Sequence, residues 1–520
     1  MRDPRPDGRG LRNCARPDGR ASKPARHSRS KLPYVCMPHF DLIASARQEM
    51  IDNGFDPDFP RGTQEQLDAI KGKPAPAPTG DVHDLRQMLW SSIDNDTSRD
   101  LDQAEVAERV SGGIRIRVAV ADVDSDVEKG TPIDHHASDQ TCTVYTGVKN
   151  FSMLPDDLST DLTSLNENAD RRAMVVETVV APDGSITAPS IYRALIRNHA
   201  QLAYNGVGAW LEGKGDAPAK VAASADLQAQ LKLQDEAAQL LAAERHTHGA
   251  LDFDRVEAEF IVGDNHQVQD IQERKRNRAT MLIEDFMIGA NEVMAQTLAK
   301  AGLSIIRRVV KTPERWPRIV QLAARYHSIL PAEPDSAALN GFLQKMRTAD
   351  AAHYSDLSLA VIKLMGPGEY VFSRPGAQDQ GHFALAVQDY THSTAPNRRF
   401  ADLVTQRLIK SVLDKVATPY SDGELGSIAA NCTEKEDAAR KVERRMFKRM
   451  AAVALASRVG ATFNGVITGV TPKGTFVRIT TPPAEGLLIH GEQGVDVGDQ
   501  MKVKLVSTDP RRGYLDFARV

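Results

Sequence analysis

The sequence has few cysteines and no long apolar segment. Its 520 residues include four cysteines, Cys14, Cys36, Cys142 and Cys432, which lie far apart and form no CxxC pair. A disulfide framework and a zinc ribbon are therefore not indicated. Uninterrupted apolar runs are much shorter than the roughly 18 to 20 residues that a membrane span requires. We accordingly expect a protein of the reducing cytoplasm that does not cross a membrane.

A large excess of one charge is also missing, but the basic residues are unevenly distributed. The chain has 65 Lys and Arg against 69 Asp and Glu, a formal net charge of -4, which by itself does not indicate a general polyanion binder. Residues 1–36 hold ten Lys or Arg and three Asp, with few apolar residues. We predict that they form a disordered basic extension, and our hypothesis is that Met37 is the natural first residue.

The rest of the chain divides into three parts by pattern. Residues 37–80 form a short helical segment that ends in a linker, KGKPAPAPTG. Residues 81–450 mix strand and helix patterns. Short β-rich runs separated by Gly, Pro and Asp fill residues 458–520 and predict a small barrel. The sequence thus predicts an α+β fold in which a mixed domain is followed by a small all-β barrel. Five elements are predicted within it: strands at 114–123 and 174–180, and helices at 227–243, 277–302 and 433–459.

Acidic residues crowd the segment IDNDTSRDLDQAE, residues 93–105, which contains Asp94, Asp96, Asp100 and Asp102. Like charges repel, so a fold that brings such carboxylates together is most easily stabilised by Mg²⁺, Mn²⁺ or Ca²⁺. Two alternatives stay open. One is a calcium loop with EF-hand spacing, although Arg99 stands where that loop requires glycine. The other is a solvated acidic loop that binds nothing.

Five blocks of sequence resemble, in order, the ribonuclease II family, whose catalytic unit is the RNB domain. They are the Asp-x5-Asp-x-Asp pattern of Asp94, Asp100 and Asp102; VYTGVKNFSMLPDDLSTDLTSL at 144–165; AYNGVGAWL at 203–211 with LDFD at 251–254; RATMLIEDFMIGAN at 278–291; and GHFALAVQDYTHSTAPNRRFADL at 381–403. The last block is similar to the family's Thr-Ser-Pro-x-Arg-Arg-Tyr-x-Asp-Leu signature. Residues 81–450 thus resemble an RNB catalytic domain, and residues 458–520 resemble an S1-type OB-fold RNA-binding domain.

The resemblance implies a 3′-to-5′ exoribonuclease that hydrolyses single-stranded RNA to nucleoside 5′-monophosphates with Mg²⁺, or alternatively Mn²⁺. It implies that Asp94, Asp100 and Asp102 hold the metal, and that Asp102 and Arg398 are catalytic. The implied RNA-binding residues are Tyr145, Tyr204, Phe253, Glu284 and Glu443, with Phe463, Phe476 and His490 as stacking candidates on the barrel. For the two barrel phenylalanines, a place in the core is the alternative. Single-stranded RNA is the expected partner; protein partners are not specified.

The chain departs from the family pattern at the site itself. Gln103 stands where a fourth Asp is usual, Ala395 replaces Ser, and Asn397 and Phe400 replace an apolar residue and Tyr. Gln103 removes a negative charge that would favour a second Mg²⁺, which predicts a tighter metal requirement or slower turnover. An RNA-binding protein with a degraded nuclease centre therefore stays open as a second function, although the retained Asp94, Asp100, Asp102 and Arg398 speak against it.

Two further charge interpretations stay open. Arg398 could form a structural ion pair with Asp402, one helical turn away. The basic helix around KVERRMFKRM, residues 441–450, is either a solvated face or a surface that follows an RNA backbone.

Overall fold

The computed structural model describes residues 40–520, apart from 255–256, 264–266, 352 and 378–380. The predicted basic extension, residues 1–36, and Met37 lie outside the described residues. Within the described part of the chain, no helix combines the length and apolar character that would let it cross a membrane.

The described residues form helices and strands in mixed order. The helices are α1 (Leu42–Asp52), α2 (Thr63–Lys71), α3 (Pro132–Gln140), α4 (Tyr204–Leu211), α5 (Ala219–Ala222), α6 (Ala225–Thr247), α7 (Arg278–Lys300), α8 (Trp316–Arg325), α9 (Ser336–Ala349), α10 (Tyr354–Met365), α11 (Phe400–Asp414) and α12 (Asp422–Ala454). The strands are β1 (His83–Asp84), β2 (Trp90–Asp94), β3 (Gln103–Val110), β4 (Gly113–Ala121), β5 (Val144–Tyr145), β6 (Asn150–Phe151), β7 (Asp170–Val180), β8 (Ile186–Ala203), β9 (Glu257–Val262), β10 (Val268–Arg274), β11 (Ile305–Val309), β12 (Glu369–Ser373), β13 (Thr462–Thr471), β14 (Gly474–Ile479), β15 (Ala484–His490), β16 (Gln500–Asp509) and β17 (Tyr514–Arg519).

A six-stranded sheet forms the centre of the larger domain, with the strand order β1-β8-β2-β3-β4-β7. Helices α6 and α7 pack against it. Strands β3 and β4 form a tight hairpin in which Gln103 pairs with Val120 and Val110 with Gly113. The turn is possible because Gly112 has a φ of +95°, which residues with a side chain rarely adopt. The open end of this hairpin lies beside the end of β2.

Helix ends follow local capping signals. The predicted helix 227–243 extends over α6, where the Ser224 side chain accepts a hydrogen bond from the Leu227 amide. The predicted helix 277–302 is α7, and Asn277 and Thr280 form a reciprocal capping box at its start. The basic helix begins earlier than the predicted 433, at Asp422, because Ser421 and Glu424 form another capping box there.

The C-terminal strands close into a barrel with the order β13-β14-β15-β17-β16. The α+β prediction with a small terminal barrel is therefore confirmed. The last turn of α12 also belongs to this barrel, because Ala451, Ala452 and Leu455 share one apolar core with Phe463 and Phe517.

Helix α1 contacts α12 through an ion cluster centred on the buried Glu49. Glu49 of α1 is only 4% exposed and lies 2.8 Å from the Arg445 guanidinium and 2.7 Å from that of Arg449. These two arginines of the basic helix are therefore engaged by the protein itself.

Candidate active site

The carboxylates of residues 93–105 lie where two strands meet. Strand β2 ends at Asp94 and β3 begins at Gln103, so the loop between them carries Asp100 and Asp102 to the same edge of the sheet. Asp94 and Asp102 are buried, at 8% and 1% exposure, whereas Asp96 is exposed. The calcium-loop interpretation is wrong because strands, not helices, flank the loop. The solvated-loop interpretation is wrong for the two buried carboxylates.

Arg398 faces this edge from the loop before α11. Its Nε lies 3.4 Å from Asp102 Oδ2. The alternative that Arg398 pairs with Asp402 is wrong: Arg399 donates to both Asp402 oxygens, at 2.7 and 2.8 Å. The physical reason is that α11 begins only at Phe400, so Arg398 lies before the helix and helical spacing does not apply to it.

Asp402 shapes the loop that carries Arg398. Its Oδ1 accepts the Ala395 amide at 2.8 Å, and the Asn397 amide in turn donates to Asp102 Oδ1 at 2.9 Å. The Arg398 carbonyl accepts the Thr143 amide at 3.0 Å, which ties the segment before Tyr145 to the same loop. The role of Asp402 in the structure is therefore to fix this loop.

Two buried carboxylate oxygens at the site accept no hydrogen bond from the described residues. Asp94 Oδ1 accepts a hydrogen bond from the Gln103 amide at 3.1 Å, but Asp94 Oδ2 and Asp102 Oδ2 are buried with no hydrogen-bond partner among the described residues. Burial raises the pKa of Asp94 to about 6 and that of Asp102 to about 7, although Arg398 lowers both. Unpaired buried oxygens are costly unless another group reaches them.

These oxygens suit a hard divalent cation. No group of three or more His, Cys, Asp or Glu side chains in the described residues is already arranged to hold a metal ion. Mg²⁺ usually takes only one or two carboxylates and completes its shell with water and substrate phosphate. Asp94 Oδ2 and Asp102 Oδ2, which accept no hydrogen bond from the described residues, fit that mode of binding, in which the substrate brings the missing ligands.

A cavity of about 250 Å³ opens at these carboxylates. It brings together Asp94, Asp100, Tyr145, Tyr204, Glu284 and Arg398. Tyr204 arrives there because β2 and β8 run parallel with Asp94 opposite Ala203. The Tyr145 hydroxyl donates to Asp100 at 2.8 Å, and its amide donates to Glu443 at 3.1 Å. Burial raises the pKa of both tyrosines, so both hydroxyls stay protonated at neutral pH.

Sequence reasoning missed three of the residues that line this cavity, Asn291, Tyr390 and His392. Asn291 donates to the Tyr390 hydroxyl at 3.2 Å. His392 Nδ1 lies 2.8 Å from the Tyr370 hydroxyl, and burial lowers its pKa well below the usual value, so the imidazole is neutral. His392 stands in the same block as Arg398, six residues earlier, which is the signal that could have identified it.

A larger, open channel of about 1280 Å³ adjoins the cavity at Tyr145 and Asp100. Its walls come from the 143–160 segment, the β9–β10 hairpin and α12. Basic residues line it: Arg99, Lys149, Arg274, Arg440 and Arg444. The basic helix thus divides its charge: Arg445 and Arg449 bind Glu49, whereas Arg444 and Arg440 line the channel, and Arg440 also pairs with Glu436 and Asp437 of its own helix.

Other candidates lie away from the cavity. Phe253 packs against the helical cluster of α8 to α10. On the barrel, Phe463 is 5% exposed and belongs to the core, so the expectation that it stacks on RNA is wrong. Phe476, on the neighbouring strand, is half-buried, and His490 is exposed. These two remain available at the barrel surface.

Comparison with known families agrees with this architecture. The RNB domain family matches residues 82–415, and the RNase II-type exonuclease C-terminal S1 domain matches residues 461–520. The chain belongs to the RNB family. Its similarity to individual members extends over most of its length.

The chain is 30% identical over 502 residues to Ribonuclease R of Thermotoga maritima, covering 89% of this chain and 68% of that protein. It is 31% identical over 500 residues to Ribonuclease R of Escherichia coli, covering 89% and 60%. The chain spans 59 to 68% of the length of these and similar relatives. The apo form of Mycoplasma genitalium RNase R shares the fold, with a TM-score of 0.80 at 23% identity, covering 92% of this chain and 78% of that one.

Proposed function

We propose that this RNB-family chain is a 3′-to-5′ exoribonuclease that hydrolyses single-stranded RNA to nucleoside 5′-monophosphates. The observation that carries the proposal is the meeting of Asp94, Asp100 and Arg398 in one cavity, with the buried Asp102 in contact with Arg398. A channel whose walls include five basic side chains adjoins this cavity. The relatives named Ribonuclease R support the proposal, as does the M. genitalium RNase R solved in complex with ribose-methylated single-stranded RNA.

Phosphodiester hydrolysis needs an activated water, neutralised phosphoryl oxygens and a stabilised leaving oxygen. A bound divalent cation, proposed to be Mg²⁺ with Mn²⁺ as the alternative, supplies the activation and part of the neutralisation. Asp94, Asp100 and Asp102 would hold it through their acceptor oxygens. Arg398 would donate to a phosphoryl oxygen, because its guanidinium reaches the cavity beside Asp102 and its charge is permanent.

The side chains that line the cavity also favour the end of a single RNA strand, not a duplex, as the bound substrate. Asn291, Tyr390 and His392 line the cavity together with Glu284, and we infer that a strand entering from the channel ends among them with its terminal nucleotide. Tyr145 stands between the channel and the cavity and lines both. A ring in that position can stack on a base, while Tyr204 and Glu284 offer a hydroxyl and a carboxylate to the terminal ribose. A cytoplasmic location, suggested by the scattered cysteines, belongs to the same proposal.

The test is a time course on 5′-labelled single-stranded RNA with Mg²⁺. Wild-type protein is compared with Asp102→Asn, with an EDTA control, and with Asp96→Asn, which makes the same change at an exposed position of the same loop. We expect wild type and Asp96→Asn to shorten the RNA to a small labelled end product, and Asp102→Asn and EDTA to abolish this. Intact RNA that is nevertheless retarded in a binding gel would instead make the chain an RNA-binding protein without nuclease activity.

A further inference from the structure

His392 is a half-buried histidine that lines the catalytic cavity together with Glu284, Asn291 and Tyr390. Its Nδ1 atom lies 2.8 Å from the Tyr370 hydroxyl. Tyr370 belongs to β12 and is not among the described residues that line the cavity. Because Nδ1 is turned to Tyr370 and the same ring borders the cavity, Nε2 is the nitrogen that His392 offers to the cavity.

The contact with Tyr370 decides which nitrogen of His392 carries the proton. Burial, together with Arg399 and Arg308, lowers the pKa of His392 well below its usual value, so only one ring nitrogen is protonated at neutral pH. Burial raises the pKa of Tyr370, so its hydroxyl keeps its proton, and Nδ1 is the acceptor that this hydroxyl finds among the described residues. A hydroxyl that donates to Nδ1 leaves the ring proton on Nε2. Nε2 itself has no hydrogen-bond partner in the described part of the chain.

Tyr370 is itself fixed by its neighbours. It pairs with Arg308 across the β11–β12 ladder, and the Arg308 guanidinium lies 4.7 Å from the centre of the Tyr370 ring. Arg308 in turn donates to both carboxylate oxygens of Glu436 on α12, at 2.5 and 2.9 Å. The Tyr370 amide donates to the Thr433 hydroxyl of the same helix at 2.8 Å. The hydroxyl that orients His392 therefore rests on α12.

The neighbouring polar groups of the cavity do not occupy this donor. Glu284, which is paired with Arg276 through one oxygen, accepts hydrogen bonds but donates none. The Asn291 side chain donates to the Tyr390 hydroxyl, so its amide is already in use. His392 thus offers an uncommitted neutral N–H in a cavity that also offers a carboxylate acceptor. A hydroxyl group satisfies both, because it donates one hydrogen bond and accepts others.

The terminal nucleotide of an RNA strand differs from every other nucleotide in one hydroxyl group. An internal nucleotide has its 3′ oxygen in a phosphodiester, which accepts hydrogen bonds but donates none. The terminal nucleotide has a free 3′ hydroxyl, which does both. A donor and an acceptor placed together therefore distinguish the end of a strand from its interior.

We propose that His392 is a specificity-determining residue whose Nε2 donates a hydrogen bond to the 3′ hydroxyl of the terminal nucleotide, while Glu284 accepts one from the same hydroxyl. Tyr370 is the positioning residue that fixes the imidazole tautomer. The inference rests on the proposed function, which supplies the RNA strand, and it names the atom by which the end of that strand is recognised.

The experiment compares three 5′-labelled RNAs that differ only in the last nucleotide, which is a ribonucleotide, a 3′-deoxynucleotide or a 2′-deoxynucleotide. Removal of that nucleotide is measured under single-turnover conditions with Mg²⁺, and the dissociation constant of each RNA is measured in EDTA. We expect wild-type protein to act about 5- to 10-fold more slowly on the 3′-deoxy RNA than on the ribonucleotide-terminated RNA, and to bind it more weakly by a similar factor.

Four variants locate the contact. His392→Phe keeps a ring but has no N–H donor, so we expect it to be about 5- to 10-fold slower than wild type on the ribonucleotide-terminated RNA and to show no further loss on the 3′-deoxy RNA. His392→Gln, which retains an N–H donor, should keep more of the discrimination than His392→Phe. Tyr370→Phe removes only the orienting hydroxyl and should lose part of it.

His382→Phe is the matched control. The His382 ring also contacts Tyr390, at 5.5 Å between ring centres, but His382 is not among the described residues that line the cavity. We expect this variant to discriminate between the three RNAs as wild type does.

A loss on the 3′-deoxy RNA that is as large in His392→Phe as in wild type would overturn the proposal. Discrimination that His392→Phe loses only against the 2′-deoxy RNA would overturn it too, because the contact would then belong to the other hydroxyl. If His392→Phe does not fold, wild-type discrimination in Tyr370→Phe overturns it.

Failure of the proposed function gives a different result. If wild type cleaves none of the RNAs but binds the ribonucleotide-terminated RNA more tightly than the 3′-deoxy RNA, and His392→Phe loses this preference, the nuclease proposal fails and the recognition of the strand end stays. Cleavage of all three RNAs by wild type at equal rates does the reverse.

Discussion

Two buried charge networks in the RNB domain lie only a few turns apart and are built differently. Arg407 of α11 donates to Asp124, Asp134, the Tyr420 hydroxyl and the Val127 carbonyl, each at 2.7 Å. Just before the same helix, Arg398 makes one long ion contact with Asp102, and two carboxylate oxygens accept no hydrogen bond from the described residues. The first network is complete without a ligand. The second leaves carboxylate oxygens without hydrogen bonds from the described residues, which is the arrangement that the proposed metal site requires.

The largest expected effect is on catalysis at the incomplete network. Asp102→Asn keeps the hydrogen bond from the Asn397 amide but removes the charge that a cation needs. We expect cleavage of single-stranded RNA to fall about 10³-fold or more, with RNA affinity within about threefold of wild type. Single-turnover assays and filter binding measure the two quantities. Comparable rates in the two proteins would mean that the second network is as structural as the first.

A substitution in the complete network around Arg407 should instead lower the stability of the fold. Arg407→Met removes the cation that pairs with Asp124 and Asp134 in the protein interior. Removing one member of a buried ion pair lowers the free energy of unfolding by about 3 to 5 kcal/mol. Urea unfolding measures this. Arg325→Met, at an exposed position of α8, should change the free energy of unfolding by less than about 0.5 kcal/mol. A small loss in Arg407→Met would contradict the comparison.

The incomplete network should also carry a pH signature in metal-free protein. Burial raises the pKa of Asp102 to about 7 from 3.8, so between these values the folded chain holds a proton that the unfolded chain has released. This contribution to stability is present at low pH and is lost as the pH rises through about 7. The asparagine in the variant Asp102→Asn does not titrate, so the variant does not lose this contribution. In EDTA at pH 8 we therefore expect its free energy of unfolding to exceed that of wild type by about 1 to 3 kcal/mol. The difference should disappear near pH 4, and a difference that does not vary with pH would contradict the assignment.

The smallest expected effect concerns the barrel, where a similar contrast holds between a core and a surface phenylalanine. Phe476→Leu should weaken binding of single-stranded RNA about 5- to 10-fold, since a stacked base contributes about 1 to 3 kcal/mol. Phe463→Leu should leave affinity unchanged and lower stability by about 1 kcal/mol. Fluorescence anisotropy and thermal unfolding separate the two results, and equal affinities in the two variants would remove Phe476 from the RNA surface.

Much of the architecture could be predicted because it is encoded locally. Helices α6 and α7 were predicted from apolar spacing, and their capping residues Ser224 and Asn277 precede them directly. The barrel was predicted from short alternating runs separated by turn residues. Tyr145, Tyr204 and Glu284 were each selected from a block with a recognisable pattern, and the structure places all three in one cavity with Asp94 and Asp100.

What could not be predicted depends on contacts between distant segments. Strand alternation could not separate Phe463 from Phe476, since either face of a barrel strand can be the core. Which carboxylate pairs with Arg398 depended on where α11 begins. The helix begins at Phe400, two residues after Arg398, and the sequence did not indicate that start. The channel arginine Arg274 comes from a hairpin about 170 residues from the aspartates, and only tertiary structure brings it to them.

Helix α12 has a consequence for how the two domains can be exchanged. Its 33 residues contact α1 through Arg445 and Arg449 and reach Tyr145 through Glu443. Ala451 and Ala452 in its last turn, and Leu455 directly after it, lie inside the barrel core. A cut in the sequence just before β13 would thus leave part of the barrel's interior attached to the other fragment. A foreign barrel introduced by laboratory design or by recombination between genes must therefore bring the end of its own preceding helix. The segment that can be exchanged between proteins is thus longer than the barrel strands alone.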